Sequence, residues 1–257
     1  MKRLAFISFV ALCVGAMTQA TLAADLAVRA PPAYKAPPPV RLFSWTGCFI
    51  GGNAGGLWTN REWDDNGIFP GDPFVGQAFG SHNANSWIGG AQVGCDYQFA
   101  GGWVVGIQGD YDWTDATGSS INALVPAFTN QTHVKSLASA TGRIGYAWDR
   151  FLGYVKGGGA WETADYSGLA TATGLVVSTA SATLSGWTVG IGGEYAFTDW
   201  LSGFVEYDYY NFGNQSVTLL TTATAFPIPV NIKATDNVFK AGLNLRWGPG
   251  GAVGARY

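Results

Sequence analysis

Charged residues and long apolar runs are both scarce in this chain. Asp, Glu, Lys and Arg make up 12% of the 257 residues, about half of the ~25% that is usual in a soluble domain. Beyond the first 24 residues, no apolar run reaches the roughly 18 residues that a membrane-spanning helix needs. The composition therefore argues against an ordinary soluble domain and against a helical membrane protein. A low-charge chain of this kind is stable in lipid only as a closed β-barrel, because open sheet edges leave backbone groups without partners.

Residues that carry out catalysis or bind metals are also few. The chain has three cysteines and two histidines and no Cys-x-x-Cys redox motif. His82 and His133 fall in predicted loops, and two isolated histidines form neither a catalytic triad nor a metal site. Asp64, Asp65 and Asp72 are interpreted as solvated acids of the first long loop. We therefore expect no catalytic residue, no metal site and no cofactor, and predict that the protein is not an enzyme.

The N-terminus has the pattern of a secretory signal peptide. Lys2 and Arg3 precede an uncharged run over 4–17, and small residues follow up to Ala24. This pattern predicts a signal peptide over 1–23, cleaved after Ala23 or Ala24.

No excess of basic residues remains after that cleavage. With Lys2 and Arg3 removed, 12 basic residues face 17 acidic ones, a net charge of −5. A mildly acidic chain lacks the positive surface that nucleic acid requires. We expect no nucleic-acid partner.

Alternating residues dominate the rest of the chain. A proline-rich segment at 24–44 is predicted to be an extended periplasmic arm, and 45–247 repeats one pattern in which apolar or aromatic residues alternate with glycine and polar ones. This is the signature of a transmembrane β-barrel. The strands are predicted at 45–58, 86–99, 103–114, 134–148, 151–162, 184–197, 201–212 and 236–247, with a tail at 248–257.

The connections alternate between short and long. The short ones are 100–102, 149–150 and 198–200, and the long ones are 59–85, 115–133, 163–183 and 213–235. Short periplasmic turns and long extracellular loops are typical of outer-membrane barrels. The predicted fold is an all-β, eight-stranded antiparallel barrel in the outer membrane.

Residue parity assigns the two faces of the strands, because side chains alternate with a period of two. The outward positions carry aromatic residues near the strand ends, where such rings prefer the headgroup level. The predicted periplasmic girdle contains Tyr97, Phe99, Trp103, Tyr146, Trp148, Phe151, Phe197 and Trp247. The predicted outer girdle contains Trp87, Trp113, Trp161, Trp187, Tyr209 and Phe239.

The inward positions carry charges of both signs. The predicted lumen network contains Asp96, Asp110, Arg143, Lys156, Glu194, Glu206, Asp208, Lys240 and Arg246. One interpretation is a paired network that plugs the interior, since unpaired charges there are costly. The alternative is a narrow ion path lined by the same residues. We favour the plug, because an eight-stranded barrel is just wide enough for side chains and open channels usually need about sixteen strands.

Two cysteines are predicted to face each other in the first hairpin. If the first hairpin pairs Trp45 with Phe99, residues whose numbers sum to about 143 or 144 face each other, which brings Cys48 and Cys95 opposite one another on neighbouring strands. The oxidising periplasm favours a disulfide between them. The alternative is two small apolar residues at the lipid face, since a register slip of one residue would separate them.

Several segments together resemble one protein family. The segments are ADLAVRAPPAYKAP, WTGCFIGGNAG, IGGAQVGCDYQF, TGRIGYAWDRFLGYVKGGGAW, VGIGGEYAFTDWLSGFVEYDYYNFG and VFKAGLNLRW. They resemble the Omp25/Omp31-like outer-membrane β-barrel proteins of alphaproteobacteria. The resemblance implies an eight-stranded, OmpA-like barrel that is abundant in the outer membrane and contributes to envelope integrity. The chain departs from the family at its cysteines, where aromatic residues are frequent, and at its end, where either Trp247 or Tyr257 could act as the assembly signal.

Three functions remain open. The leading hypothesis is a structural outer-membrane protein with a largely plugged interior. The second is a narrow porin-like channel for ions or small solutes, and the third is a surface binding protein that acts through loops 59–85 and 163–183. The expected partners are outer-membrane lipids and lipopolysaccharide, and the barrel-assembly machinery during biogenesis.

Overall fold

Eight antiparallel strands close into a barrel in the computed structural model, which describes residues 43–67, 73 and 75–248. Each strand pairs with its neighbours in the chain, and the first pairs with the last. The strands are β1 (Gly47–Asp65), β2 (Ala78–Gln98), β3 (Trp103–Ile121), β4 (Phe128–Trp148), β5 (Phe151–Ala170), β6 (Val176–Ala196), β7 (Leu201–Thr221) and β8 (Pro227–Trp247). The predicted all-β, eight-stranded barrel is confirmed. The predicted signal peptide, most of the arm, Asp72 and nearly all of the tail lie outside the described residues.

The short turns are at the predicted ends of the strands. In the β2–β3 turn, Phe99 donates its backbone N–H to the carbonyl of Trp103 at 2.8 Å. Gly101 and Gly102 have φ angles of 91° and 88°, a conformation that glycine adopts without steric cost. The first hairpin has the predicted register, with Cys48 opposite Cys95.

The opposite ends of the strands differ from the sequence prediction. Strands of 19 to 21 residues replace most of the four predicted long loops, so the loop ranges 59–85, 115–133, 163–183 and 213–235 are wrong. The connections between strands cover only 66–77, 122–127, 171–175 and 222–226. His82, His133, Asp64 and Asp65 accordingly lie in strands rather than in loops.

A reversal of polarity along each strand explains this difference. We call the strand segments between the two predicted girdles the lower barrel, and the segments beyond the outer girdle the upper barrel. In the upper part of β8, Ile232 and Ala234 are buried in the interior, whereas Lys233 is exposed. The outside is polar and the inside apolar, the opposite of the lower barrel. A strand with polar residues on its outer face does not have the pattern of a lipid-facing strand, although its side chains still alternate with a period of two.

The upper barrel consequently has a hydrophobic core of its own. The core includes side chains from all eight strands, among them Leu57, Trp63, Ala84, Ala116, Val134, Tyr166, Leu184, Phe212, Ile232 and Val238. A smaller cluster lies at the periplasmic end of the interior and contains Trp45, Val104, Ala147, Leu152, Tyr154 and Ala196. The charged interior of the lower barrel lies between these two apolar clusters.

Candidate functional site

Buried ions fill the interior of the barrel in three layers. All nine residues of the predicted network point inward and are buried. The periplasmic layer contains Asp96, Arg143, Glu194 and Arg246; the central layer contains Asp110, Asp112, Lys156, Glu206, Asp208 and Lys240; and the outer layer contains Arg61, Glu162 and Asp236. The three layers differ in their balance of positive and negative side chains.

The periplasmic layer spans the lumen from four alternate strands. Arg143 of β4 donates from Nε to Asp96 of β2 at 2.7 Å and forms a second contact with the same carboxylate through its terminal nitrogens. Arg246 of β8 donates to Asp96 at 2.6 Å and to Glu194 of β6 at 2.9 Å. Two arginines and two carboxylates therefore form one neutral network across the barrel.

Aromatic rings hold these arginines in place. The guanidinium carbon of Arg143 lies 4.5 Å from the ring centre of Phe49 and 4.9 Å from that of Tyr154. The Arg246 guanidinium carbon lies 4.7 Å from the ring centre of Trp45. Such cation–π contacts are stronger when both groups are removed from water. They leave little space for solvent around the ion pairs.

The central layer surrounds two ammonium groups with four carboxylates. Lys156 of β5 contacts Glu206 at 2.6 Å and Asp208 at 3.2 Å. Lys240 of β8 contacts Asp110 at 2.9 Å and Asp112 at 3.4 Å. The layer holds two more carboxylates than ammonium groups, and neither oxygen of Asp208 accepts a hydrogen bond from any described residue.

The outer layer is a part of the site that sequence reasoning missed. Arg61 of β1 donates to Asp236 at 2.6 Å and to Glu162 at 2.5 Å, and all three side chains are buried. Glu162 comes from β5, on the opposite side of the barrel from β1. Arg61 lies in a predicted loop and Asp236 lies next to one, and the parity of a strand assigns no face to a loop residue. Asp112, which is buried and has the same parity on β3 as Asp110, is also missing from the predicted network.

Glycines on neighbouring strands make room for the inward carboxylates. Gly106 pairs with Asp96, and Gly190 pairs with Asp208. A Cβ atom at Gly106 would lie 2.2 Å from an Asp96 oxygen, and one at Gly190 would lie 2.0 Å from an Asp208 oxygen. Any side chain at these two positions would displace the carboxylate beside it.

The remaining predicted residues lie on the outside of the lower barrel. Cys48 and Cys95 are joined by a disulfide in the first hairpin. Every residue of the two predicted girdles faces outward, with Tyr146 and Tyr209 half-exposed and the others more so. Trp58 is also exposed at the level of the outer girdle; it was missed because the glycines of the first strand obscured its parity.

The two histidines differ in their surroundings. His82 is buried in the upper barrel, where its ring nitrogens lie 3.2 Å from the hydroxyl of Ser120 and 3.1 Å from that of Thr132. Burial, together with the positive charge of Arg61, lowers the pKa of His82 from 6.5 to about 4. His133 points outward and contacts Asp115 at 2.6 Å. The structure thus keeps the two histidines apart.

Proteins of similar sequence include outer-membrane proteins of bacteria. The chain is 29% identical over 236 residues to the 31 kDa outer-membrane immunogenic protein of Brucella melitensis, which covers 88% of this chain and 93% of the relative. The same values hold for the protein of that name from Brucella suis. An uncharacterized protein of Coxiella burnetii is 26% identical over 193 residues, or 67% of this chain and 72% of that protein. No protein-family model matches the chain.

Solved structures support the architecture. The outer membrane protease OmpT from Escherichia coli superposes with a TM-score of 0.51 at 8% identity, over 80% of this chain and 98% of OmpT. At this identity the likeness concerns the fold alone. The Brucella relatives, which match most of the chain, locate it in the outer membrane.

Proposed function

We propose that the chain is an Omp25/Omp31-like outer-membrane β-barrel protein and that it acts as a non-enzymatic structural component of the envelope with an interior closed to solutes. In this proposal the apolar outside of the lower barrel contacts the lipids and lipopolysaccharide of the outer membrane. The ionic layers close the lumen and hold opposite walls together.

The observation that carries this proposal is the periplasmic layer. Its four ions come from β2, β4, β6 and β8, and each arginine contacts both carboxylates. The contacts therefore cross the lumen rather than follow its wall. An ion path along the barrel axis would have to break at least one of these contacts.

The energetics of buried ions also favour a closed interior. Removing one partner from a buried ion pair typically costs about 3–5 kcal/mol, because the other charge is left without compensation. The layer contains two such pairs with further support from Ser202, which donates to Glu194 at 2.5 Å. Thermal fluctuations that open the lumen are accordingly rare.

A conductance measurement tests the closed interior. We expect the purified wild-type protein in planar lipid bilayers to give no discrete current steps. A double variant, Arg143→Ala with Arg246→Ala, removes both cations and should either admit small ions or lose stability. Arg150→Ala serves as the matched control, because Arg150 lies in a periplasmic turn and pairs with the exposed Asp199.

A narrow cation channel is the second candidate, and one observation favours it. The two excess carboxylates of the central layer would attract cations into the lumen. Defined wild-type conductance that Arg143→Ala or a Glu194→Gln substitution changes, and that Arg150→Ala leaves intact, would contradict the closed interior and support transport.

A further inference from the structure

Three of the four outer hairpins end in exposed apolar tips. The tips span 121–129, 169–177 and 219–228, and none of them contains Asp, Glu, Lys or Arg. We call them together the apolar tips. Their most exposed large side chains are Ile121, Val125, Leu175, Val176, Leu220 and Phe226, with exposed fractions from 45% to 66%. Contiguous exposed apolar surface of this kind marks an interaction site.

Hydrogen bonds join the three tips into one surface. Thr171 donates its backbone N–H to the carbonyl of Ala127 at 2.8 Å, which links the second tip to the first. Thr222 donates in the same way to Val177 at 2.9 Å, which links the third tip to the second. The surface is therefore already formed in the free protein, and binding requires little additional ordering.

The polar groups of the tips bind to one another. Asn122 accepts hydrogen bonds from the backbone N–H groups of Leu124 and Val125, both at 3.0 Å. Thr221 accepts from the backbone N–H of Phe226 at 2.8 Å and lies 2.8 Å from the hydroxyl of Thr224. Groups that are satisfied internally can enter hydrocarbon without the cost of an unpaired donor or acceptor.

The apolar tips lie far from the membrane that holds the barrel. Twelve residues separate Leu175 from Trp187 of the outer girdle, which is roughly 40 Å along the strand. The outward side chains between them are mainly Ser and Thr, such as Thr179, Ser181 and Thr183. Phe43 and Gly248 lie at the periplasmic end of the barrel, opposite the tips. A second bilayer that approaches the cell surface would therefore meet the tips first.

The residue types favour lipid over protein as the occupant. Protein interfaces depend on Trp, Tyr and Arg, and under-represent Leu, Val and Thr as energetic centres. The tips have none of the former and are rich in the latter. On the neighbouring β1–β2 hairpin, Glu62 and Asp64 are half-exposed. Lys233 pairs with Glu62 at 2.9 Å, so the two acids and one lysine leave no positive excess that would attract an anionic surface.

From these observations we propose that the apolar tips insert into the outer leaflet of a second, zwitterionic lipid bilayer brought close to the cell surface. The driving force is burial of the aliphatic and aromatic side chains. Because no charge takes part, the interaction is insensitive to salt. This inference does not depend on whether the lumen conducts.

Binding of protein-bearing nanodiscs to separate liposomes tests the proposal. The barrel is reconstituted in phosphatidylcholine nanodiscs, so that its own lipid band is covered, and is floated with phosphatidylcholine liposomes. We expect co-flotation that is unchanged between low and high salt. The triple variant Val125→Asp, Leu175→Asp and Phe226→Asp should lower the bound fraction at least tenfold.

A control variant carries three aspartates on the outer face of the upper barrel, closer to the outer girdle than the apolar tips are. Thr117→Asp, Ser181→Asp and Thr183→Asp change outward, exposed residues of the upper barrel and should bind like the wild type. An environment-sensitive fluorophore on Leu175→Cys should shift to the blue only when liposomes are added. An unshifted fluorophore, or equal losses in both triple variants, would contradict lipid insertion. Pairing of nanodiscs in the absence of liposomes would contradict it as well, and would assign the tips to a second copy of the chain.

Discussion

Some carboxylates of the lumen occupy space that is free because the residue on the neighbouring strand is a glycine without a side chain. The Asp208 carboxylate lies where a side chain of Gly190 would otherwise be, and the same holds for Asp96 beside Gly106. A glycine opposite an inward acid gives that carboxylate space to turn toward the cations at the centre of the barrel. The glycine-rich strands thus serve the ionic layers as well as the tight curvature of a small barrel.

Gly190→Ala is predicted to destabilise the barrel. The added Cβ would meet an Asp208 oxygen at 2.0 Å and the carbonyl oxygen of Tyr207 at 2.9 Å, so Asp208 must move. Overpacking of this kind typically costs about 1–3 kcal/mol. The measurement is the free energy of unfolding by urea in detergent micelles, followed by tryptophan fluorescence.

Gly142→Ala is the matched control for that change. No atom lies within 4 Å of a Cβ built at Gly142, and both substitutions restrict the unfolded chain equally. We expect its stability to stay within about 0.5 kcal/mol of the wild type. Equal effects of the two alanines would show that the space beside Asp208 is unimportant.

The buried imidazole of His82 predicts a pH dependence. Its folded-state pKa of about 4 is below the ordinary 6.5, so between these values the unfolded chain binds a proton that the folded barrel does not. Stability should therefore fall as pH drops from 6.5 toward 4. Because solvent near the barrel mouth screens part of the effect, we expect a loss on the order of 1–2 kcal/mol.

A His82→Gln variant separates this effect from the titration of carboxylates. Glutamine can still hydrogen-bond to Ser120 and Thr132 but does not titrate. Urea unfolding at pH 7 and pH 4.5 should show a smaller acid loss in the variant than in the wild type. The same acid loss in both proteins would assign the pH dependence to other groups.

The sequence predicted only the part of each strand that lies in the lower barrel. The boundary between the predicted and the unpredicted part has a physical meaning. From Trp87 to Tyr97 the large apolar residues of β2 other than Ile88 face outward, as lipid requires, and the sequence pattern places this segment correctly. From 81 to 86 the outward residues Ser81, Asn83 and Asn85 are polar, and the segment looks like a loop although its strand continues. The alternation with a period of two continues beyond the outer girdle, but there the apolar residues face the interior of the barrel instead of the outside.

The upper barrel is predicted to tolerate charge on one face only. Ile232→Asp puts a carboxylate into the hydrophobic core of the upper barrel, where Ile232 is fully buried, and should cost about 3–5 kcal/mol. Thr235→Asp, on the outward face of the same strand between Asn60 and Asn211, should cost less than about 0.5 kcal/mol. Urea unfolding measures both changes. Similar small effects would mean that 227–235 is a loop after all, as the sequence suggested.

At the scale of the whole molecule, closure of β1 on β8 removes every sheet edge. Eighteen residue pairs, from Cys48 with Trp247 to Asp65 with Val230, connect these strands. A closed set of ladders has no free edge at which to begin unfolding. The three ionic layers add contacts across the lumen that a sheet by itself does not have.

Closure predicts a heat-dependent mobility on gels. The unheated protein in detergent should migrate faster than the boiled protein, because the intact barrel is more compact than the unfolded chain. Circular dichroism of the unheated sample should be dominated by strand signal. A helical spectrum, or equal mobility before and after boiling, would contradict the barrel.

The sequence by itself determined the class of fold, the number of strands, the register of the first hairpin and the inward set of charges in the lower barrel. These features follow from the alternation of side chains along a strand and from the need for apolar side chains where a strand faces lipid. Both can be recognised within a single strand. The tertiary structure alone decided the length of the strands, the outer layer of Arg61, Glu162 and Asp236, and the partner of each buried ion. These depend on which residues meet across the closed lumen, and alternation along one strand carries no information about the strand on the opposite side.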